Sequence, residues 1–155
     1  MSPEAAKSKR QRILEAVLAR VQTIRRVDGY QTDVGATVFF GESPELGESD
    51  PEEAAAVVPA SDVIVAIQGT KVTIELPIAI QALARADLAQ PWVAVEAVIS
   101  DIKTAVEVAD QTLGGLAPRR MRRGSTRPIP RDPGSVTVAA EVPYIVPYDE
   151  TWGAP

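Results

Sequence analysis

Lys71-Val72-Thr73-Ile74-Glu75-Leu76-Pro77-Ile78-Ala79-Ile80-Gln81-Ala82 places every large aliphatic side chain on the even positions, and Lys71, Thr73, Glu75 and Gln81 on the odd ones. Alternation kept over about eleven residues is the period of a β-strand with one face on a core and the other toward solvent or a partner. A one-residue slip would turn every aliphatic group outward, so the register of this strand is strongly specified. One-sided burial also favours an antiparallel sheet covered on a single face. Pro77 lies on the outward parity and has no N–H for the ladder, so the strand is expected to bulge there or to run at an edge.

Immediately upstream, Gln68-Gly69-Thr70 is a turn signal, which makes Val63 to Ile67 the other arm of a hairpin, expected to be a buried strand. Ala54 to Pro59 is a further apolar run, and Ala36 to Phe40 reads as a short strand. Near the start, Ile13, Leu14, Val17, Leu18, Val21 and Ile24 recur at helical spacing. Ser8 or Ser2-Pro3 are plausible starts, and the stop is expected at Asp28-Gly29-Tyr30, where Gly supplies the left-handed conformation. Downstream, Pro91 suits the first turn of a second helix running to about Asp110, with Trp92, Val95, Val98, Ile99, Ile102 and Val106 along one face. The final strand alternates again, Val136, Val138, Ala140, Val142, Tyr144, Val146 and Tyr148 on one side. Pro143 and Pro147 on the other side predict an edge or a bulged course. The order α-β-β-β-α-β-β lacks βαβ alternation and any Gly-rich phosphate loop. The fold class is therefore α+β, a mixed, mostly antiparallel sheet with two helices packed on one face.

A chain of 155 residues, 45% hydrophobic and 24% charged, suits a single globular domain spanning 1–155. No stretch approaches about 18 uninterrupted apolar residues, and Met1 to Arg12 lacks the apolar region of a secretory signal, so no membrane partner is expected and the chain should remain in a cytosol-like compartment. The net charge is −5, which weighs against a dedicated DNA-binding protein, but the charge is segregated. Residues 1–26 carry seven basic and two acidic side chains, residues 28–62 nine acidic and no basic ones, and residues 119–131 six Arg and no acid. Two segments read as mobile surface loops: the acidic stretch 41–53 and the Arg- and Pro-rich stretch 118–133. Blocks of this kind suit contacts between neighbouring copies as well as solvated surface.

The chain has no His and no Cys, which removes thiol nucleophiles, disulfides, soft metal sites and the one side chain that ordinarily titrates between pH 5 and 8. Glu42, Glu45, Glu48, Asp50, Glu52 and Glu53 lack the spacing of an EF-hand loop. Asp62 and Asp101 could be imagined as a magnesium pair, but nothing in the sequence places them together, and lone acids of this kind are expected to be solvated. Ser100 and Ser135 have no His to activate them, and neither Lys71 nor Lys103 stands in a Ser-Lys motif. No catalytic residue, metal or cofactor is therefore expected, and the chain reads as a non-enzyme. Arg119, Arg120, Arg122, Arg123, Arg127 and Arg131 form the sharpest local feature, because Arg recognises carboxylates and phosphates bidentately. The first five, with Trp152 in the tail, are the candidate partner-binding residues; aromatics at 5% favour protein or sequence-blind DNA contact over base readout.

This order of elements resembles the tail terminator (tail completion) proteins of long-tailed bacteriophages. The likeness runs from about Arg10 to Tyr148: an N-terminal helix RILEAVLARVQTI, the phrase Gly29-Tyr30-Gln31-Thr32-Asp33-Val34-Gly35, a strand at Val38-Phe39-Phe40-Gly41, an apolar strand around Val57-Val58-Pro59-Ala60, a helix VISDIKTAVEV and a closing strand GSVTVAAEVPYIVPY. The resemblance implies a virion protein made in the host bacterial cytoplasm. It would assemble as a ring, typically a hexamer, on the head-proximal end of the tail tube, ending tube polymerisation and offering the surface for head attachment. The implied partners are further copies, the tail tube protein and a neck or head-tail connector protein, with non-specific contact to genomic DNA in the ring lumen. Another neck ring, or a non-viral acidic binding module, is the alternative.

Overall fold

A computed structural model of the chain describes residues 6–42 and 52–155. The long alternating segment is the central strand β4 (Lys71–Arg85), with its even-numbered side chains buried throughout. It follows helix α1 (Lys9–Val21), a three-residue strand β1 (Val38–Phe40), β2 (Glu53–Pro59) and β3 (Val63–Gln68). After it come helix α2 (Pro91–Glu107), two short strands β5 (Arg122–Arg123) and β6 (Arg127–Ile129), and β7 (Thr137–Thr151). The seven strands form one sheet, β1-β2-β4-β7-β5, with β3 also on β4 and β6 also on β7. Only β1 with β2 is parallel; every other pairing is antiparallel. This is the expected α+β class with a mixed, mostly antiparallel sheet. Ile13, Leu14, Val17 and Val21 of α1 and Val98, Ile99, Ile102 and Val106 of α2 join the even-numbered side chains of β4 and β7 in a single core, so both helices lie on one face of the sheet.

Neither β4 nor β7 is an edge strand. They pair with each other without interruption from Lys71↔Thr151 to Arg85↔Thr137, and each is flanked on its other side. The prolines fit because both outer flanks are split. β2 ends with Pro59 opposite Ile78 and β3 begins with Val63 opposite Glu75, so Pro77 faces the junction, where its carbonyl accepts from Ala60 N at 2.9 Å. On the other flank β5 pairs with Ile145 and Tyr144 and β6 with residues 139–141. Pro143 therefore faces the gap between them, and its carbonyl accepts from Gly124 N at 2.8 Å. Pro147 lies beyond the end of β5. The N–H and C=O of one strand residue point to the same side, so each missing donor is turned toward a place where no ladder bond is required.

Helix α1 begins as expected, with the Ser8 hydroxyl accepting from Gln11 N at 3.1 Å. It ends at Val21, well short of Gly29. Gly35 is responsible for that early stop. Its backbone packs so close to the helix end that a Cβ would lie 2.5 Å from Val21 O, and its N–H donates to Ile24 O at 3.1 Å. The chain turns here to bury Ile24, and Gly29, at φ 93°, closes a separate 3-10 turn over Arg26–Asp28. α2 likewise stops at Glu107, and Trp92, expected on its core face, is exposed.

Candidate functional site

The arginine-rich segment is not a mobile loop over its whole length, because 122–123 and 127–129 add to the outer side of β7. Strand period two then sends neighbouring arginines to opposite faces. Arg122 turns to the face away from the helices and pairs with Glu75 at 2.9 Å, while Arg123 turns to the helical face and pairs with Glu107 at 2.9 Å. Glu107 Oε2 also accepts from the Tyr144 hydroxyl at 2.8 Å, and burial, then this hydrogen bond, pushes the Tyr144 phenol well above its ordinary range. Arg127 lies 3.4 Å from Glu141, Arg119 lies 3.6 Å from Asp149, Arg120 donates to the Gln111 amide oxygen, and Arg131 donates to Ser135 O at 2.6 Å. Arg119, Arg122, Arg123 and Arg127 thus each face a carboxylate of the chain's own sheet or α2. Each ion pair is partly exposed, so it fixes position more than it adds stability.

Asp149 collects three neighbours across the sheet end. Burial works to raise its pKa, but the hydrogen bond from Thr73 and the charges of Lys71 and Arg119 outweigh it and hold the carboxyl below the usual range. Its Oδ1 is buried without a hydrogen bond, with the Arg119 guanidinium 3.6 Å away. Nearby, burial and the carboxylates of Glu150 and Asp62 push the Tyr148 phenol up to about 12.

Asp62 and Asp101 serve separate ends of the fold. Asp62 pairs with Arg10 at 3.5 Å and accepts from the Tyr148 hydroxyl at 3.4 Å. Asp101, expected in solvent, is buried: Oδ1 accepts from Gln31 N at 3.1 Å, and Oδ2 from Thr32 N at 2.7 Å and Thr32 Oγ1 at 2.6 Å. It ties α2 to the 29–35 phrase. Of the expected acidic loop, residues 43–51 lie outside the described residues. Glu53 does not float in that loop: it opens β2, accepts from Arg26 Nη2 and Asp33 N, both at 2.5 Å, and joins the Asp33–Arg26 pair. Hydrogen bonds from Arg26 hold the Asp33 carboxyl below its ordinary range.

The feature that sequence reading placed wrongly is β3. All six of its residues are exposed, with Val63, Ile64, Val65 and Ile67 each at 50–57%. Helix α1 begins at this end, where Lys9 reaches Asp149 O in the row of Thr73 and Arg10 reaches Ala60 O, and among the described residues the core between helices and sheet contains no β3 side chain. Trp152 sits beside the hairpin, its N–H donating to Thr70 O at 2.6 Å and its indole 67% exposed over a hollow shared with Ile64, Val72 and Pro155. The sequence carried no signal of this exposure, because Ile64 and Ala66 between Val63, Val65 and Ile67 read as a buried strand, and only the register shift sets Ile64 opposite Ile74 and Ile67 opposite Val72, on one face. No protein-family model and no curated protein sequence matches the chain.

Proposed function

We propose that this chain is a structural ring subunit that caps the head-proximal end of a long-tailed phage tail tube, a tail terminator that ends tube polymerisation and presents the surface for head attachment. One observation carries the assembly part of this reading: a strand of four aliphatic side chains, each half-exposed, beside an exposed Trp, is an apolar surface that a lone soluble subunit gains nothing by displaying. The assignment to the tube end rests on the likeness in element order and phrases from Arg10 to Tyr148. The phrase 29–35 is where the fold needs particular residues: Thr32 for the buried Asp101, Asp33 for Arg26, and Gly35 for the approach to α1. The half-exposed arginines of β5 and β6 are the surface for tube, neck or lumenal DNA, and no catalytic step, metal or cofactor is assigned.

The test is a nonsense mutation in this gene within the phage or prophage that carries it, with particles viewed by electron microscopy. Overlong tubes without heads are the expected result. Tubes of normal length that fail to join heads would assign the chain to the adjacent neck ring, and normal infectious particles would remove both readings and leave a binding module with no part in the virion.

A further inference from the structure

A second apolar pole lies at the far end of β4. Leu88, Trp92 and Val93 are 51%, 65% and 45% exposed, in and just before the first turn of α2. Val63 to Ile67 lie beside Val72 to Glu75 and this pole follows Arg85, so most of the length of β4 separates them, roughly 35–40 Å at the usual rise per residue. Both are built from uncharged stretches, Val63 to Gln68 and Leu88 to Val95, in a chain that is 24% charged. Ile64 and Ile67, brought to one face by the register shift between them, expose with Trp152 on the order of 400 Å² of apolar-rich surface, a large patch for a monomer and about half of what one side of a standard interface buries.

We infer that the bare hairpin and Trp152 of one copy dock on the Leu88, Trp92 and Val93 pole of a second copy, head to tail. One molecule cannot bring its own poles together across the length of β4, but successive copies can, and a heterologous contact of this kind closes into a ring when its rotation allows. The contact is side-chain packing, not strand addition. The register of β3 shifts between Ile64 and Ala66, and a bulge of this sort makes a free edge a poor template for a further strand. A two-fold contact between hairpins would leave the second pole uncovered. The inference deepens the ring reading above and rests on it for its purpose, though not for its geometry.

The test uses two variants of the full chain, I64D/I67D and L88D/W92D, measured by analytical ultracentrifugation alone and mixed. All four side chains are at least half exposed, so the melting temperature and circular dichroism of both variants should match wild type. Wild type should self-associate, with a sedimentation coefficient that rises with concentration. Each variant alone should lose at least about 30-fold in affinity, as expected for removing an apolar hot spot. Mixed, the two should form a 1:1 heterodimer and nothing larger, because each keeps one intact pole. Association of L88D/W92D alone would show a hairpin-to-hairpin contact and overturn the inference, as would monomeric wild type or an unaffected I64D/I67D. Tube capping by wild type that survives I64D/I67D would also overturn this surface while leaving the function intact. Failure of wild type to cap tubes, with the heterodimer still formed, would overturn the function and leave the contact standing.

Discussion

Replacing Asp101 with Ala tests whether the 29–35 phrase is held from α2. The carboxylate accepts three hydrogen bonds, two of them from Thr32, which is only 3% exposed, and one from the exposed Gln31. In D101A the Gln31 N–H regains water, whereas the Thr32 N–H and hydroxyl are left in the interior, each costing about 1–3 kcal/mol. The expected destabilisation is therefore about 3 kcal/mol. D101N should cost only about 1 kcal/mol, since its amide oxygen can keep both Thr32 bonds and its NH₂ meets Gln31 N on the wetter side. Urea denaturation at one fixed, low protein concentration measures this; with an m-value on the order of 2 kcal/mol/M, D101A should lower the midpoint by about 1.5 M. Thr32→Val removes only the hydroxyl, and its effect in the D101A background should be smaller than in wild type by about 1 kcal/mol. D101A within about 1 kcal/mol of wild type, or D101N as damaging as D101A, would refute the clamp.

Gly35→Ala should destabilise by about 1–3 kcal/mol through overpacking, because its Cβ would fall within 2.7 Å of backbone atoms of Ile24 as well as Val21; an unchanged thermal midpoint would show that the α1 end yields. Ile78→Ala and Ile99→Ala should each cost about 2–5 kcal/mol, and Arg122→Ala no more than about 1, since its pair with Glu75 is largely exposed; equal denaturant midpoints would contradict the assignment of faces. Stability followed by circular dichroism should change little between pH 5.5 and 8.5. It should fall as the pH drops below about 4, because Asp33, Asp110 and Asp149 have folded-state pKa values depressed from 3.8 and the unfolded chain takes up protons first. It should fall again above about pH 10, where the unfolded chain ionises Tyr144 and Tyr148 while the fold keeps both phenols protonated; a midpoint falling near neutrality would refute this.

The strands and helices were legible because their signals are local. Alternation from Val72 to Ala82 names the buried face whatever lies above it, helical spacing in α1 and α2 does the same, and Ser8 and Pro91 mark starts through bonds made within one turn. The misreadings all concern partners distant in sequence. Proline on a strand predicts an edge only if the flanking strand is continuous, and here both flanks are interrupted opposite Pro77 and Pro143. The helix stop moved from Gly29 to Val21 because Gly35 approaches it, and Asp101 left solvent because two backbone N–H groups 69 and 70 residues away required an acceptor. The arginine run spells out charge but not direction; β7 supplied the edge that split it between two faces and set it against Glu75 and Glu107. For Val63 to Ile67, apolar content was written in the chain, but whether anything covers it depends on what packs above that end of the sheet, and burial is a property of that three-dimensional arrangement rather than of the strand.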